Sequence, residues 1–369
     1  MSIQRVGIIG GGQLAQMLAQ SVEHLGVKCT VLDPNPDCCA RSTCNHIQAN
    51  YADPDALAKL AQASDVVTYE FENVPSAAAE IIGNHCPIHP NAQALDVAQD
   101  RALERTMFTQ LGIAVPEYAL VDDLGSLEAA IESVGTPAIL KARRLGYDGK
   151  GQVLINDPSH TREAFETIGS VPAILDQFVE FTRELSSIAT RNHAGEIVYY
   201  PLSQNTHRGG ILRVSKSPAR NVSEAIAAQA QAAIKNILEH FDYVGTLAVE
   251  FFQIGEGEHA HLLANEIAPR VHNTGHWTIE GAKTSQFENH MRAVMGMELG
   301  STDSIGHSAM VNIIGNEPRP GALDAMPEAH VHMYGKAPRA GRKIGHVTLN
   351  APTSIELDSL LERFTRVVG

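Results

Sequence analysis

Residues 6–9 form a short apolar run that ends in three glycines and opens into residues 13–25, where Leu14, Met17, Leu18, Val22 and Leu25 recur at helical spacing before Gly26. The pattern continues with a strand over 28–32 that ends at Asp33-Pro34, a helix over 55–63 and a buried strand over 65–71. Strands separated by helices predict a parallel, doubly wound α/β sheet, whose ligands gather at the carboxyl ends of the strands. Here those ends are residues 10–14, 33–34 and 70–73. Gly10-Gly11-Gly12-Gln13-Leu14-Ala15 also fits a dinucleotide fingerprint, with Asp33 closing the next strand. A glycine turn that serves packing alone fits the same residues.

From about residue 115 the texture changes. Runs at 138–141, 152–155, 173–176, 185–190 and 197–201 are broken by glycine-rich or charged turns and predict a small antiparallel α+β subdomain over about 115–200. Residues 222–239 lack Gly and Pro, and Asn221 with Glu224 marks a helix N-terminus there. Strands at 245–254 and 261–268, a helix near 285–295, strands near 310–314, 330–334 and 345–349, and a closing helix over 354–367 complete the pass. The division is an N-terminal α/β domain over 1–100, a central region over 101–300 and a small β-rich C-terminal domain over 301–369.

Composition limits the partners. The formal net charge of −14 argues against a nucleic-acid binder. No stretch approaches the roughly 20 apolar residues of a membrane helix, and the start is a poor signal peptide, so a cytoplasmic location is expected. Five cysteines (Cys29, Cys38, Cys39, Cys44 and Cys86) suit reduced thiols better than a disulfide framework. The cluster Cys38-Cys39…Cys44 lacks the second pair of a zinc site.

Lys141 ends a hydrophobic strand, and Gly146, Gly149 and Gly151 follow closely. Such a loop can fold over a polyphosphate through its backbone amides while the lysine adds a point charge. A tight solvent hairpin is the plain alternative. Asp148 would be repelled by phosphates, so it faces either solvent or a second substrate.

The strands at 245–254 and 261–268 flank a six-residue turn. Paired as a hairpin, they place Glu250 across from residue 265 or 266, at a Cβ separation of about 5 Å. Two carboxylates among Val249, Phe251, Leu263 and Ile267 repel one another unless a cation lies between them. Magnesium shared with phosphate oxygens fits, with Asn265 as a further oxygen donor. A carboxylate dyad in acid/base work, or two exposed acids, are the rivals.

With these motifs in place the chain resembles the ATP-grasp ligases along essentially its whole length. It is most similar to the branch that carboxylates 5-aminoimidazole ribonucleotide in purine synthesis. The likeness rests on Gly-Gly-Gly-Gln-Leu (10–14), Tyr-Glu-Phe-Glu-Asn-Val-Pro (69–75), Gly-Tyr-Asp-Gly-Lys-Gly-Gln (146–152), Asn-Glu-Ile-Ala-Pro-Arg-Val-His-Asn-Thr-Gly-His-Trp-Thr (265–278) and Gly-Arg-Lys-Ile-Gly-His (341–346). It implies a pre-ATP-grasp N-terminal domain, central ATP-grasp domains and a small C-terminal domain. It also implies an activity: ATP phosphorylates bicarbonate, and the carboxyphosphate carboxylates the exocyclic amine, with release of ADP and phosphate.

The resemblance assigns roles. Arg101 and Lys141 would bind ATP, beneath a lid of Gly146, Tyr147, Asp148, Gly149, Lys150, Gly151 and Gln152. Asp176, Gln177, Phe178 and Val179 would meet the adenine and Glu184 the ribose, with His207 and Asn265 nearby. Asp176 stands where relatives usually carry Glu, which leaves its side-chain role open. Glu250 and Glu266 would hold magnesium, as two ions. Arg270, His272 and Asn273 would hold bicarbonate and carboxyphosphate, joined in catalysis by Asp148 and Lys336. Gln13, Leu14, Glu72 and Asn73 would meet the substrate ribose, and Lys336, Arg342 and Lys343 its phosphate. Residues 329–355 carry four basic side chains and no acid, which suits an anion site or a solvated basic turn. The family expectation adds a homodimer and a hand-off to the mutase of the next step.

Three other readings account for parts of the chain: an NAD-dependent dehydrogenase built on residues 1–90, a non-catalytic nucleotide sensor, and a ligase that activates formate or another carboxylic acid. The spacing His272-x-x-x-His276 invites a metal, but Gly275 disfavours the helix it needs. Trp277 reads as core.

Overall fold

The computed structural model describes residues 3–144, 146, 151–319, 321–323 and 326–368. The first sheet holds β1 (Arg5–Ile9), β2 (Lys28–Leu32), β3 (Asn45–Ile47) and β4 (Val66–Tyr69), all parallel, in the order β3-β2-β1-β4. The doubly wound expectation holds. Its helices are α1 (Gln13–Ser21), α2 (Pro54–Gln62), α3 (Ser76–Gly83) and α4 (Ala92–Ala98). α2 starts where Asp53 accepts from two backbone N–H groups and Pro54 takes the first turn. α1 ends four residues before the expected Leu25, because Glu23–Leu25 tightens into a 3₁₀ turn that closes on left-handed Gly26 (φ 71°).

α5 (Arg101–Gln110) leads into a four-stranded antiparallel sheet of β5 (Tyr118–Val121), β6 (Ala138–Ala142), β7 (Gln152–Ile155) and β8 (Ala173–Gln177), in the order β5-β8-β6-β7. α6 (Leu124–Val134) and α7 (Thr161–Thr167) pack on it and share its core of Leu127, Ile131, Leu140, Phe165 and Leu175. This sheet stops at Gln177. The expected 115–200 subdomain therefore ran too far.

The two strands it wrongly included, β9 (Arg183–Arg191) and β10 (Ile197–Tyr199), belong to a nine-stranded sheet with β11 (Ser203–Arg208), β12 (Ile211–Ser217), β13 (Gly245–Ile254), β14 (His261–Ala268), β15 (His307–Ile314), β16 (Ala329–Met333) and β17 (Lys343–Ala351). β9 is nine residues long and pairs with both β13 and β11; only a central strand of a large sheet is paired and buried that way. The path runs β14-β13-β9-β11-β12-β15-β17-β16, with β10 beside β9. The β12–β15 pairing carries the C-terminal strands into the same sheet, so residues 301–369 do not build a sheet of their own. α8 (Glu224–His240) covers this sheet, and its N-cap is Ser223, which accepts from Ile226 N–H. Asn221, the expected cap, instead takes a positive φ of 50° two residues earlier.

α9 (Thr278–Gly281), α10 (Gln286–Val294) and α11 (Ser354–Val368) complete the chain. Phe287, Met291 and Val294 of α10 share a core with Val6, Ile8, Leu14 and Leu18. That packing presses the N-terminal sheet against the large one and brings its glycine turn to the cavity described next. Trp277 is fully buried, with its Nε1 donating to Ser203 Oγ at 2.9 Å, as a core residue should.

Candidate active site

The glycine turn binds the chain's own carboxylates. Gly10 has a φ of 97°, and Gly11 N–H donates to Asp33 Oδ2 at 2.7 Å, an oxygen that also accepts from Tyr51 OH at 2.8 Å. Glu70, at the end of β4, accepts from Gly12 N–H and, at 2.9 Å, from Ala15 N–H. Its carboxylate thus fills the anion position at the N-terminus of α1, where a dinucleotide pyrophosphate would lie. A Cβ on Gly12 would collide with Glu70, and one on Gly11 would come 2.7 Å from Cys38 Sγ. The fingerprint glycines make room for side chains, and Asp33 is committed to them. The dehydrogenase reading loses both of its supports.

Beside this turn lies a cavity of about 600 Å³ between the three sheets. Gln13, Leu14, Glu72 and Asn73 reach it from the N-terminal domain, and Lys141, Gly146 and Gln152 from the small sheet. The large sheet supplies Glu184, His207, Glu250, Asn265, Glu266 and Lys343, α5 supplies Arg101, and the segment after β14 supplies Arg270, His272 and Asn273. These residues span 331 positions of sequence and meet on one wall system.

The hairpin geometry is as the spacing required. β13 and β14 are antiparallel, with Glu250 directly opposite Glu266. Burial, followed by the charge of Glu266, pushes the Glu250 carboxyl up to about 7. Arg101 Nη1 lies 3.2 Å from Glu266 Oε2, whereas the cationic contact of Glu250 is His272 Nε2 at 3.7 Å. That imidazole is kept neutral by burial and then by Arg270, so the contact is no ion pair. Two facing acids with too little positive charge between them can hold a divalent cation. Among the described residues no group of three or more His, Cys, Asp or Glu is placed to hold a metal. All five cysteines are free thiols.

Lys141 is 8% exposed, and its Nζ sits 2.8 Å from Asp176 Oδ2. Burial lowers the lysine's pKa against the pull of Asp176. Asp176 also accepts from Arg105 Nη2 at 3.0 Å, which fills the side-chain role that the sequence left open. At the expected adenine segment, Gln177 N–H donates to Glu117 O at 2.8 Å and Phe178 N–H to Pro137 O at 3.1 Å. Asp176, Gln177, Phe178 and Val179 do not line the cavity, because β8 ends there and these donors tie its end to neighbouring loops. Glu184 and His207, on adjoining strands, pair at 2.8 Å, and Glu184 holds the imidazole above its ordinary value in spite of burial.

Glu72 forms an ion pair with Arg270, which keeps the acid ionised although burial opposes it. Asn273 points to no partner: both its amide atoms are buried without a hydrogen bond. Lys336 stands just behind the wall, where its Nζ donates to Gln13 Oε1 at 2.5 Å. Arg342 lies outside the lining, since its Nη1 reaches back to Ala337 O at 3.3 Å within its own turn. Gly151 accepts from Ala142 N–H at 2.8 Å and is likewise off the wall. Tyr147, Asp148, Gly149 and Lys150 lie outside the described residues. Sequence reasoning missed Glu70, Glu104 and Arg143 on the wall and Arg105 in support of it. Only Glu70 gave a signal, as an acid at a strand's carboxyl end.

Three family models account for nearly all of the chain: a ribonucleotide synthetase preATP-grasp domain over residues 3–99, an ATP-grasp domain over 106–287 and a phosphoribosylaminoimidazole carboxylase C-terminal domain over 308–359. An N5-carboxyaminoimidazole ribonucleotide synthase of Pseudomonas aeruginosa is 48% identical over 345 residues, 94% of each chain. The crystal structure of the synthetase from Thermus thermophilus superposes with a TM-score of 0.93 at 47% identity, covering 99% of this chain and 98% of that one. A synthase from Aspergillus clavatus, solved with ADP and 5-aminoimidazole ribonucleotide, gives 0.91 at 31% identity over 99% and 98%. With its opposed acids, buried lysine and three-sheet cavity, the chain belongs to the N5-carboxyaminoimidazole ribonucleotide synthase family of ATP-grasp ligases.

Proposed function

We propose that the chain carboxylates 5-aminoimidazole ribonucleotide to N5-carboxyaminoimidazole ribonucleotide in purine biosynthesis, using ATP and bicarbonate. The observation that carries this reading is the meeting of Glu250, Glu266 and Lys141 with Gln13 and Arg270 around one cavity. A bicarbonate oxygen attacks the γ-phosphorus of ATP, the bond to ADP breaks, and carboxyphosphate forms. The substrate amine then attacks the carboxyl carbon, phosphate leaves, and the nitrogen gives up a proton.

Each part of the wall has work in that sequence. Lys141 offers a buried cation to the phosphates, and residues 146–152 close over them. Glu250 and Glu266 would hold magnesium, as two ions with the nucleotide, and the metal would neutralise phosphate charge. The fork of Arg270, now on Glu72, suits the planar oxygens of bicarbonate and carboxyphosphate. The amide of Asn273 has no partner and can meet that anion, as can the neutral His272, whose Nδ1 is held by Thr274 Oγ1 at 2.9 Å. Gln13, Leu14, Glu72 and Asn73 receive the substrate ribose, with Lys336, Arg342 and Lys343 for its phosphate. Asp148 acts on the acceptor side.

The free thiols fit a reducing, cytoplasmic setting. A homodimer that passes its labile product to the mutase of the next step completes the proposal. The test is ADP release with bicarbonate and with 5-aminoimidazole ribonucleotide omitted in turn. Turnover should need both, and turnover indifferent to both would overturn the assignment.

A further inference from the structure

β14 is an edge strand of the large sheet, so one side of its backbone has no strand partner. The register also shifts there: Glu250 faces Glu266 while Phe251 faces Ala264, which leaves Asn265 as the extra residue of a bulge. The backbone groups on either side of Glu266 would be buried and unpaired without help from elsewhere.

That help comes from one face of α5. Arg101, Glu104 and Arg105 stand at i, i+3 and i+4 and therefore project together. Arg105 Nη1 donates to Asn265 O at 2.6 Å, Arg101 pairs with the Glu266 carboxylate, and Glu104 Oε1 accepts from Ile267 N–H at 2.7 Å. Three residues of the helix thus hold three consecutive residues of the strand. Arg105 is fully buried, and Glu104 is 2% exposed. The second arm of Arg105 leaves the strand and reaches Asp176 Oδ2, the same oxygen that pairs with Lys141. A buried guanidinium is costly when it loses a partner, and here both Nη atoms are satisfied while Nε has no hydrogen bond. A planar fork reaches two acceptors on different sheets from two separate nitrogens, whereas a lysine would have to reach both from one.

We propose that Arg105, supported by Glu104, is a positioning residue that couples Lys141 on the small sheet to the bulge carrying Asn265 and Glu266 on the large one. One helix then sets the separation between the phosphate lysine and the metal acids. This deepens the nucleotide reading above and rests on it.

The test uses the full chain and two variants, Arg105→Lys and Asp176→Asn. Wild-type ADP release is measured first; none with all substrates present would sink the nucleotide reading itself, whatever Arg105 does. With an active wild type, the Mg²⁺ activation constant is measured at saturating ATP, alongside the KM for ATP and a thermal unfolding curve. Residues that orient metal ligands typically change metal affinity by about 10- to 100-fold. Arg105→Lys should raise both constants within that range while unfolding stays cooperative. Asp176 lies on the small sheet and meets the large one only through Arg105, yet Asp176→Asn should raise the Mg²⁺ constant too. A Mg²⁺ constant unchanged in Asp176→Asn, with only the KM for ATP raised, would overturn the coupling, and this holds even if Arg105→Lys fails to fold. So would an Arg105→Lys enzyme that melts earlier but keeps both constants.

Discussion

Replacing Glu250 by Gln should make the ligand-free protein more stable and the enzyme inactive. The folded chain holds this carboxyl near 7 against an ordinary 4.5, through burial and then the charge of Glu266. A group raised in the folded state favours folding below its unfolded pKa, and that advantage is lost as pH rises through the folded value. A shift of that size corresponds to about 3 kcal/mol. Coulomb's law agrees: unit charges about 5 Å apart at an effective dielectric near 20 repel by about 3 kcal/mol. Glu250→Gln removes the charge, so its stability relative to wild type should rise between pH 5 and pH 8 by about that amount. In a chain of this size that is on the order of 5 °C in the melting temperature. The assay is thermal unfolding of both proteins in a metal chelator across that pH range, repeated with magnesium and ATP. Magnesium and ATP should stabilise the wild type at pH 8 and leave the variant unmoved. Equal melting temperatures at pH 8 without ligand, or an equal response to magnesium and ATP, would refute the reasoning.

Three further outcomes are expected. Glu266→Gln should abolish ADP release while the fold persists by circular dichroism; wild-type turnover would remove it from the metal site. Asp148→Ala should lower kcat more than it raises the KM for ATP, and the reverse would assign Asp148 to the lid. His290 accepts from Thr246 N–H through Nδ1 and meets Thr68 Oγ1 through Nε2, and burial drives its pKa down to about 3. A folded pKa below the unfolded 6.5 gives stability that is full above 6.5 and lost as pH falls. By pH 5 the loss is about 2 kcal/mol, from 1.5 pH units below 6.5. Chemical denaturation at pH 7 and pH 5 should show it, and His290→Gln should flatten that slope.

The site's strongest element was legible because it is local. A hairpin fixes its own register, so two strands and a short turn were enough to place Glu250 against Glu266. The same held for β2 and β7, whose apolar runs end at clear turn residues. Sheet membership was not local. Nothing in residues 183–199 tells β9 that its partners are β13 and β11, or tells β15 that it will extend the central sheet. Arg105 and Glu104 escaped for a related reason. Their partners are backbone groups about 160 residues away, exposed by a bulge that only the folded register reveals. The glycine turn misled for a physical reason as well. Glycines that admit a phosphate also admit Glu70, and the acid that fills the gap lies 58 residues on.

In the proposed reaction bicarbonate attacks ATP before any carboxyl group moves. Turnover with ¹⁸O-labelled bicarbonate and 5-aminoimidazole ribonucleotide, followed by mass analysis of the inorganic phosphate, tests it directly. Each phosphate released should carry one labelled oxygen. Phosphate without label, in a reaction that still forms the carboxylated product, would contradict it.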